Sequence, residues 1–134
     1  MKDAEVIAAA DEQLGRLVAG LHQRNLLERT NLVVVSDHGM APTSVRRTIF
    51  VDDYVPLADI EIADINPTIG VTPVAGKMDA VYRALALAHP RLDVFKREDT
   101  PLHWYFRGQP RVPPITGVAE EGWVVMRRAD YVEY

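Results

Sequence analysis

The most informative segment of the sequence is Leu32-Val33-Val34-Val35-Ser36-Asp37-His38-Gly39-Met40. Its first four residues are apolar and mostly β-branched, without polar alternation, which is typical of a strand buried on both faces of a parallel sheet. A helical pattern runs almost directly into this strand, and that order favours an α/β layer fold. The residues from Ser36 to Ser44 are predicted to form a loop, because Gly39 and Pro42 interrupt regular structure.

The upstream pattern predicts an amphipathic helix from Asp3 to Leu27. Apolar residues recur at helical spacing, and Asp3 is the expected N-cap. The helix is expected to end near Asn25, and its beginning so close to Met1 suggests that the chain starts inside a fold. The inward face is assigned to Ile7, Leu14, Leu17, Val18 and Leu21.

The downstream pattern predicts a smaller α+β unit, inserted after the loop. A second amphipathic helix is expected over residues 76–88, ended by His89-Pro90. A turn is expected at Pro67 and Gly70. Strands are expected at residues 47–54, 60–65, 68–74, 92–96, 103–106, 115–119 and 123–126. The first part looks incomplete by comparison, since one helix and one strand cannot cover both faces of a parallel sheet.

Composition excludes several classes of function. The formal net charge is −4, with acids and bases interspersed, which argues against a nucleic-acid-binding stripe or a polybasic membrane patch. No apolar run approaches the roughly 20 residues that span a bilayer. The chain has no cysteine, so any metal must be held by carboxylate and imidazole. No signal-peptide pattern is visible, and the compartment stays open, a periplasmic or secreted parent protein included.

Asp37 and His38 are the candidate metal ligands. Open α/β sheets bind ligands at the carboxyl ends of their strands, where this pair lies, and at a strand end both side chains can turn toward one point. Gly39 is expected to help through a positive φ and close backbone approach. One carboxylate oxygen and one imidazole nitrogen suit Zn²⁺, although two ligands do not make a tight site. The alternative is a turn-forming aspartate beside a loop histidine that binds nothing.

The ordered motifs resemble a known family. The run Thr30–Met40 closely resembles the nucleotide pyrophosphatase/phosphodiesterase family of the alkaline phosphatase superfamily. Similar segments follow in the family's order, and the helix with Asp11 and Gly15 before Leu17 also resembles its counterpart. The similar segments downstream of Met40 are Val51–Tyr54, Ala88–Pro90, Arg107–Pro114 and Ala119–Trp123. The resemblance covers nearly the whole chain.

The resemblance implies both a fold and a chemistry. The fold would be part of an alkaline-phosphatase-like α/β/α sandwich. Residues 1–44 would supply its helix, core strand and metal-ligand loop, 45–119 an inserted α+β subdomain, and 120–134 a return strand. The chemistry would be a two-zinc site in which a threonine attacks a phosphodiester or nucleotide substrate and becomes phosphorylated. Asp37 and His38 would be ligands of the zinc that also holds this nucleophile.

The departures from the family pattern matter equally. The family's threonine nucleophile, an aspartate ligand and a further Asp-His pair lie upstream of the segment resembled here, and another histidine ligand lies downstream. No residue of this chain replaces them, and Thr43 is a loop threonine on the wrong segment. The chain alone is therefore expected to carry no catalytic residue and to be inactive. The competing hypotheses are a non-catalytic fragment, a binding module, or part of a related phosphomonoesterase or phosphonate hydrolase.

Several other residues could have a functional role, but a structural role is predicted for each of them. The two acidic pairs are expected at turns, the three remaining histidines in structural or surface positions, the arginines on solvated surface, and the aromatic run in a core rather than a base-stacking platform. The acidic pairs are Asp52-Asp53 and Glu120-Glu121, and the histidines are His22, His89 and His103. The arginines are Arg107, Arg111, Arg127 and Arg128, and the aromatic run is Trp104, Tyr105 and Phe106.

Overall fold

The computed structural model describes the backbone of residues 3–131, and the side chains from residue 4 onward. The chain divides after Gly39 into two compact units. The predicted N-cap role of Asp3 falls outside the described side chains, as do residues 132–134 of the predicted return strand. The predicted division at residues 44 and 119 stays a prediction.

The first unit is built on one long helix, α1, which spans Asp3–Gln23. The helix ends because Asn25 adopts a left-handed φ of 54°. In that conformation the N–H of Asn25 donates to the His22 carbonyl, and the N–H of Leu26 donates to the Leu21 carbonyl. These two bonds form a Schellman motif, in which asparagine is an accepted substitute for glycine. The predicted end at Asn25 is confirmed, whereas the extension to Leu27 is wrong, since Leu27–Arg29 form a separate 3₁₀ turn.

The predicted strand at Leu32–Val35 does not form, and this is the main correction to the expected fold. Residues 30–44 contain no helix or strand, and Val33, Val34 and Val35 are 76%, 68% and 83% exposed. A strand buried on both faces needs neighbouring strands to pair with, and both sheets within residues 3–131 are made of later strands. Part of the predicted inner face of α1 is also exposed, at Ile7 and Leu17.

Among residues 3–131, the six strands and the second helix all lie in the second unit. The strands are β1 (Thr48–Phe50), β2 (Ile60–Ile65), β3 (Thr68–Pro73), β4 (Leu92–Lys96), β5 (Ile115–Ala119) and β6 (Val124–Met126), and helix α2 spans Met78–Ala86. Strands β2-β3-β5-β4 form an antiparallel sheet, and β1 pairs with β6 in parallel. The mixed α/β class is therefore confirmed. No helix among residues 3–131 combines the length and apolar character needed to cross a lipid bilayer.

One face of the four-stranded sheet packs against α2. Ile69 on β3 and Ile115 on β5 are each 1% exposed, as is Leu85 on α2. Lys96 on β4 fixes the helix from the same face, because its Nζ lies 3.0 Å from Asp79 Oδ1 and 5.0 Å from the centre of the Tyr82 ring. The hydrogen bond from Lys96 lowers the pKa of Asp79 below its ordinary value. This face forms the main hydrophobic core.

The other face of the sheet is covered by the connection between β4 and β5. Trp104 packs edge-on against Phe95 of β4, with ring centres 5.4 Å apart. Pro113 packs over Gly70 of β3, where an added Cβ would lie 2.8 Å from the proline Cγ. The turn predicted at Gly70 is therefore wrong, because Gly70 is buried inside a strand. The turn is at Asn66-Pro67, where Asn66 has a φ of 73°.

Two further predicted strand segments are wrong, each for an identifiable reason. Residues 51–53 form a 3₁₀ turn instead of extending β1, because the N–H groups of Tyr54 and Val55 both donate to the Val51 carbonyl. Residues 102–104 also form a 3₁₀ turn, and Tyr105 follows with a φ of 56°. The rings of Trp104 and Phe106 pack together there, with centres 5.7 Å apart.

The pairing of β1 with β6 is reinforced by Arg128. Its guanidinium donates to both carboxylate oxygens of Asp53, at 2.9 and 2.7 Å, and lies 4.4 Å from the centre of the Phe50 ring. The predicted turn at Asp52 and Asp53 is confirmed, with this ion pair as an added role. The turn at Glu120 and Glu121 is confirmed as well, since the Trp123 N–H donates to the Glu120 carbonyl at 2.9 Å.

The core of the second unit yields a matched test on α2 and its C-cap residue, Leu87. Leu85 is 1% exposed, whereas Leu87 is 85% exposed. We expect Leu85→Ala to lower the free energy of unfolding by about 2–5 kcal/mol, because it leaves a cavity against the sheet. Leu87→Ala should change it by less than about 0.5 kcal/mol. Urea unfolding followed by circular dichroism measures both, and equal losses would contradict the assigned packing of α2.

Candidate metal-ligand loop and family membership

The loop at residues 36–39 is shaped by its own short-range hydrogen bonds. The chain bends at Asp37, and Asp37 Oδ1 accepts a hydrogen bond from the His38 backbone N–H at 2.9 Å. The Ser36 hydroxyl donates to the His38 carbonyl at 2.5 Å. Both contacts join residues that are close neighbours in sequence, so the local sequence accounts for the bend of the loop.

The ring of His38 is oriented by the next residue. Its Nδ1 lies 2.8 Å from the Gly39 carbonyl oxygen. A carbonyl only accepts hydrogen bonds, so this contact requires the proton on Nδ1. In the neutral ring, Nε2 is then left with a free lone pair. A backbone carbonyl on the far ring nitrogen is also the usual support of a metal-binding histidine.

Asp37 and His38 turn toward one point. Asp37 Oδ2 lies 3.5 Å from His38 Nε2. Zinc–nitrogen bonds of about 2.0 Å and zinc–oxygen bonds of about 2.1 Å at a tetrahedral angle separate two donors by roughly 3.4 Å. The chemistry and spacing of these two donors therefore fit a shared zinc ion, and with a protonated imidazole the same contact is an ion pair. The two side chains are 85% and 69% exposed, which leaves room for a cation.

The expected role of Gly39 is wrong in its detail. Its φ is not in the left-handed region, and a Cβ added to it would meet nothing within 4 Å. The residue acts through its carbonyl oxygen, which any amino acid would supply. Its conformational freedom is therefore not what shapes the loop in this structure.

The loop provides two donors and no more. No group of three or more His, Asp or Glu side chains within residues 3–131 is placed to hold a metal ion. A stable zinc site normally takes three or four protein ligands.

The other histidines occupy structural or surface positions, as predicted. His89 packs against Trp123, with ring centres 4.7 Å apart, and its Nδ1 accepts the Arg91 N–H at 3.1 Å. His103 lies beside Trp104, with ring centres 6.2 Å apart. His22 is exposed on α1.

The arginines are more specifically engaged than a solvated surface would require. Arg107 Nε donates to the Thr100 carbonyl at 2.7 Å. Arg127 donates to both carboxylate oxygens of Asp130, at 2.6 and 2.8 Å. Within the described residues only Arg111 of the four lacks such a partner, and it lines a cavity with the buried Thr116. Sequence reasoning missed Thr116, since nothing in a strand sequence marks one buried hydroxyl.

Comparison with known proteins identifies relatives along nearly the whole chain. The family model described as type I phosphodiesterase/nucleotide pyrophosphatase matches residues 3–134. Human ectonucleotide pyrophosphatase/phosphodiesterase family member 5 is 39% identical over 122 residues, which is 91% of this chain and 26% of that protein. Human bis(5'-adenosyl)-triphosphatase ENPP4 is 31% identical over 123 residues, or 92% of this chain and 27% of that protein. The chain thus spans about a quarter of the length of these relatives.

Solved structures give the same result. Human family member 5 superposes with a TM-score of 0.79 at 38% identity, covering 96% of this chain and 34% of that one. An inactive threonine-to-alanine variant of the murine member 5 in complex with AMP superposes at 0.78 with 40% identity, covering 95% and 34%. The alkaline-phosphatase-like α/β fold expected from the sequence is confirmed by these matches. The chain belongs to the type I phosphodiesterase/nucleotide pyrophosphatase family.

Proposed function

We propose that this chain forms part of a zinc-dependent phosphodiesterase and that Asp37 and His38 are two ligands of one of its two zinc ions. The observation that carries the proposal is the 3.5 Å separation of Asp37 Oδ2 from His38 Nε2. It gains weight from the Nδ1 contact with the Gly39 carbonyl, which leaves Nε2 unprotonated in the neutral ring. Family membership supports a metal-dependent hydrolase as the complete protein.

Asp37, His38 and Gly39 would each have a different role in binding the zinc ion. Asp37 supplies negative charge through Oδ2, while its other oxygen stays bound to the backbone N–H of His38. His38 supplies a neutral nitrogen, and the Gly39 carbonyl holds the ring in the tautomer that can bind a cation. When bound, zinc ions of such a site would neutralise charge on the oxygens of the reacting phosphate.

The nucleophile and substrate class rest on the relatives. The resemblance places a threonine nucleophile upstream of the segment matched here. Murine member 5 is inactive when one threonine is replaced by alanine, and that variant is seen with AMP. Both facts support a threonine nucleophile and a nucleotide substrate. We propose hydrolysis of phosphodiester or pyrophosphate bonds in nucleotide-like molecules. In a complete protein, the strands that cover Val33–Val35 would come from parts of the catalytic domain outside the segment matched here.

A second proposal concerns the chain by itself, which we infer to be non-catalytic. It is favoured by the exposure of residues 33–35 and by the absence of a third metal-ligating side chain within residues 3–131. Two donors cannot hold two metal ions. Binding of a partner, or a related phosphomonoesterase or phosphonate hydrolase activity of a complete protein, has no specific observation in its favour.

Zinc titration of the isotope-labelled chain tests the two ligands directly. We expect Zn²⁺ to shift the ring signals of His38 at lower concentration than those of His22, His89 and His103, because among the described side chains His38 is the one histidine that lies within 3.5 Å of a carboxylate oxygen. Asp37→Asn should remove that preference. The control Asp93→Asn, an exposed aspartate on β4, should keep it. Equal responses of all four histidines in the unmodified chain would contradict the proposed site.

Hydrolysis is tested in a chimera of human member 5 whose matching segment is replaced by this chain. We expect the chimera to bind two zinc ions per molecule and to hydrolyse bis(4-nitrophenyl) phosphate. Asp37→Asn or His38→Gln should lower kcat/KM by about 100-fold or more and reduce the zinc content. The control His22→Gln should do neither, since His22 is exposed on α1.

Unchanged turnover in both ligand variants would refute the assignment of Asp37 and His38. The isolated 134-residue chain serves as the second control and should show no turnover. Zinc-dependent hydrolysis by that chain would overturn the inference that it is non-catalytic.

A further inference from the structure

The strongest unassigned feature is a cavity of about 500 Å³ in the second unit. It lies between the sheet face that α2 does not cover and the connection that runs from β4 to β5. Its floor includes Gly70 and Thr116, and its walls include the rings of Trp104 and Phe106. A volume of this size falls in the usual range for small-molecule sites. None of the residues that line it belongs to the metal-ligand loop.

Thr116 shows that the floor is not simply hydrophobic core. The residue is 6% exposed, and its hydroxyl has no hydrogen-bond partner within the described part of the chain. A buried hydroxyl without a partner lowers stability, so an uncompensated one calls for an explanation. Its direct cross-strand partners are Gly70 on β3 and Phe95 on β4, neither of which offers a side-chain hydrogen-bonding group. A ligand oxygen or nitrogen seated there would supply the missing contact.

Arg111 supplies the charge that selects a ligand. It lines the cavity, it is exposed, and it makes no hydrogen bond or salt bridge to any residue in 3–131. Arg97, by contrast, is engaged, with its guanidinium donating to the carbonyls of Gln109 and Val112 at 3.3 and 3.0 Å. A free guanidinium binds carboxylates through two parallel hydrogen bonds.

The aromatic walls define the body of the ligand. Trp104 is half-buried, and its ring is held against Phe95 and Phe106, with centres 5.4 and 5.7 Å away. The covering segment is held in place because the Gly108 N–H donates to Glu98 Oε2 at 3.2 Å. Aromatic rings fixed in this way favour flat, apolar partners.

Asp64 is the opposing charge at the rim. Its Oδ2 accepts a hydrogen bond from the Thr68 hydroxyl at 2.9 Å, and both residues line the cavity. The Asp64 carboxylate would repel an anionic ligand, so its effect on binding is opposite to that of Arg111. Neutralising Asp64 should strengthen the binding of an anionic ligand, whereas neutralising Arg111 should weaken it.

We infer that this cavity binds a small aromatic carboxylate, with its ring packed against Trp104 and Phe106, its carboxylate on Arg111, and one carboxylate oxygen near the Thr116 hydroxyl. The inference does not rest on the proposed hydrolytic function. It uses neither Asp37 nor His38, so the two can fail separately.

The experiment titrates the complete ¹⁵N-labelled chain with 2-naphthoate, and with 2-naphthylmethanol as the uncharged control. The chain has two tryptophans, and Trp123→Phe identifies the indole N–H signal of Trp104. We expect 2-naphthoate to shift that signal in a saturable way, and to bind at least about fivefold more tightly than the alcohol.

Three variants examine the separate contacts. Arg111→Gln should weaken 2-naphthoate about fivefold or more and leave the alcohol unchanged, whereas Asp64→Asn should tighten 2-naphthoate. Thr116→Val should weaken both probes without lowering the Tm, because valine has the same shape and removes an unsatisfied hydroxyl. Arg83→Gln, an exposed arginine on α2, is the matched control and should change nothing.

Two results would overturn the inference. One is the absence of any shift of the Trp104 signal at millimolar 2-naphthoate. The other is equal affinity for the two probes together with an unaffected Arg111→Gln variant, which would make the cavity an unselective apolar surface. If Thr116→Val failed to fold, the exposed Arg111 and Asp64 variants would still decide the matter.

Discussion

Apolar strand faces must be covered, and this requirement determines which parts of the chain adopt regular structure. The four-stranded sheet meets it on both sides. Helix α2 buries Ile69 and Ile115 on one face, and the β4–β5 connection packs Trp104 and Pro113 onto the other. Val33–Val35 have no such cover within residues 3–131, and they form no strand. The same β-branched run would suit an inner strand wherever neighbours are available.

The strands and helices of the second unit were predictable because their patterns are local. Residues 60–65, 92–96 and 115–119 are strands with the bounds that the sequence indicated. The errors arose where tertiary contacts outweigh propensity. Gly70 resembles a turn residue in sequence, but in the structure it makes room for Pro113, which no local pattern reveals. The aromatic run at 104–106 resembles a strand, but Tyr105 in the left-handed region folds it back on itself.

The candidate site was predictable in part for the same reason. Asp37 and His38 are adjacent in sequence, so their approach depends on a bend of a few residues and not on the assembly of distant elements. The hydrogen bonds that produce the bend were not predictable, and the contribution of Gly39 proved to be a carbonyl instead of a positive φ. A histidine held at Nδ1 by a backbone carbonyl, with a carboxylate oxygen near Nε2, has the arrangement that the proposed zinc ion would require. That organisation connects the local sequence to the hydrolytic chemistry of the family.

The central claim is that His38 presents an unprotonated Nε2 beside Asp37 Oδ2. It is tested most directly by long-range ¹H–¹⁵N correlation spectra of the metal-free chain, recorded at a pH where the imidazole is neutral. These spectra distinguish a protonated from an unprotonated ring nitrogen in each histidine. We expect Nδ1 of His38 to carry the proton and Nε2 to carry none. A His38 ring protonated mainly on Nε2 would contradict it, because the nitrogen facing Asp37 would then have no lone pair to offer a cation.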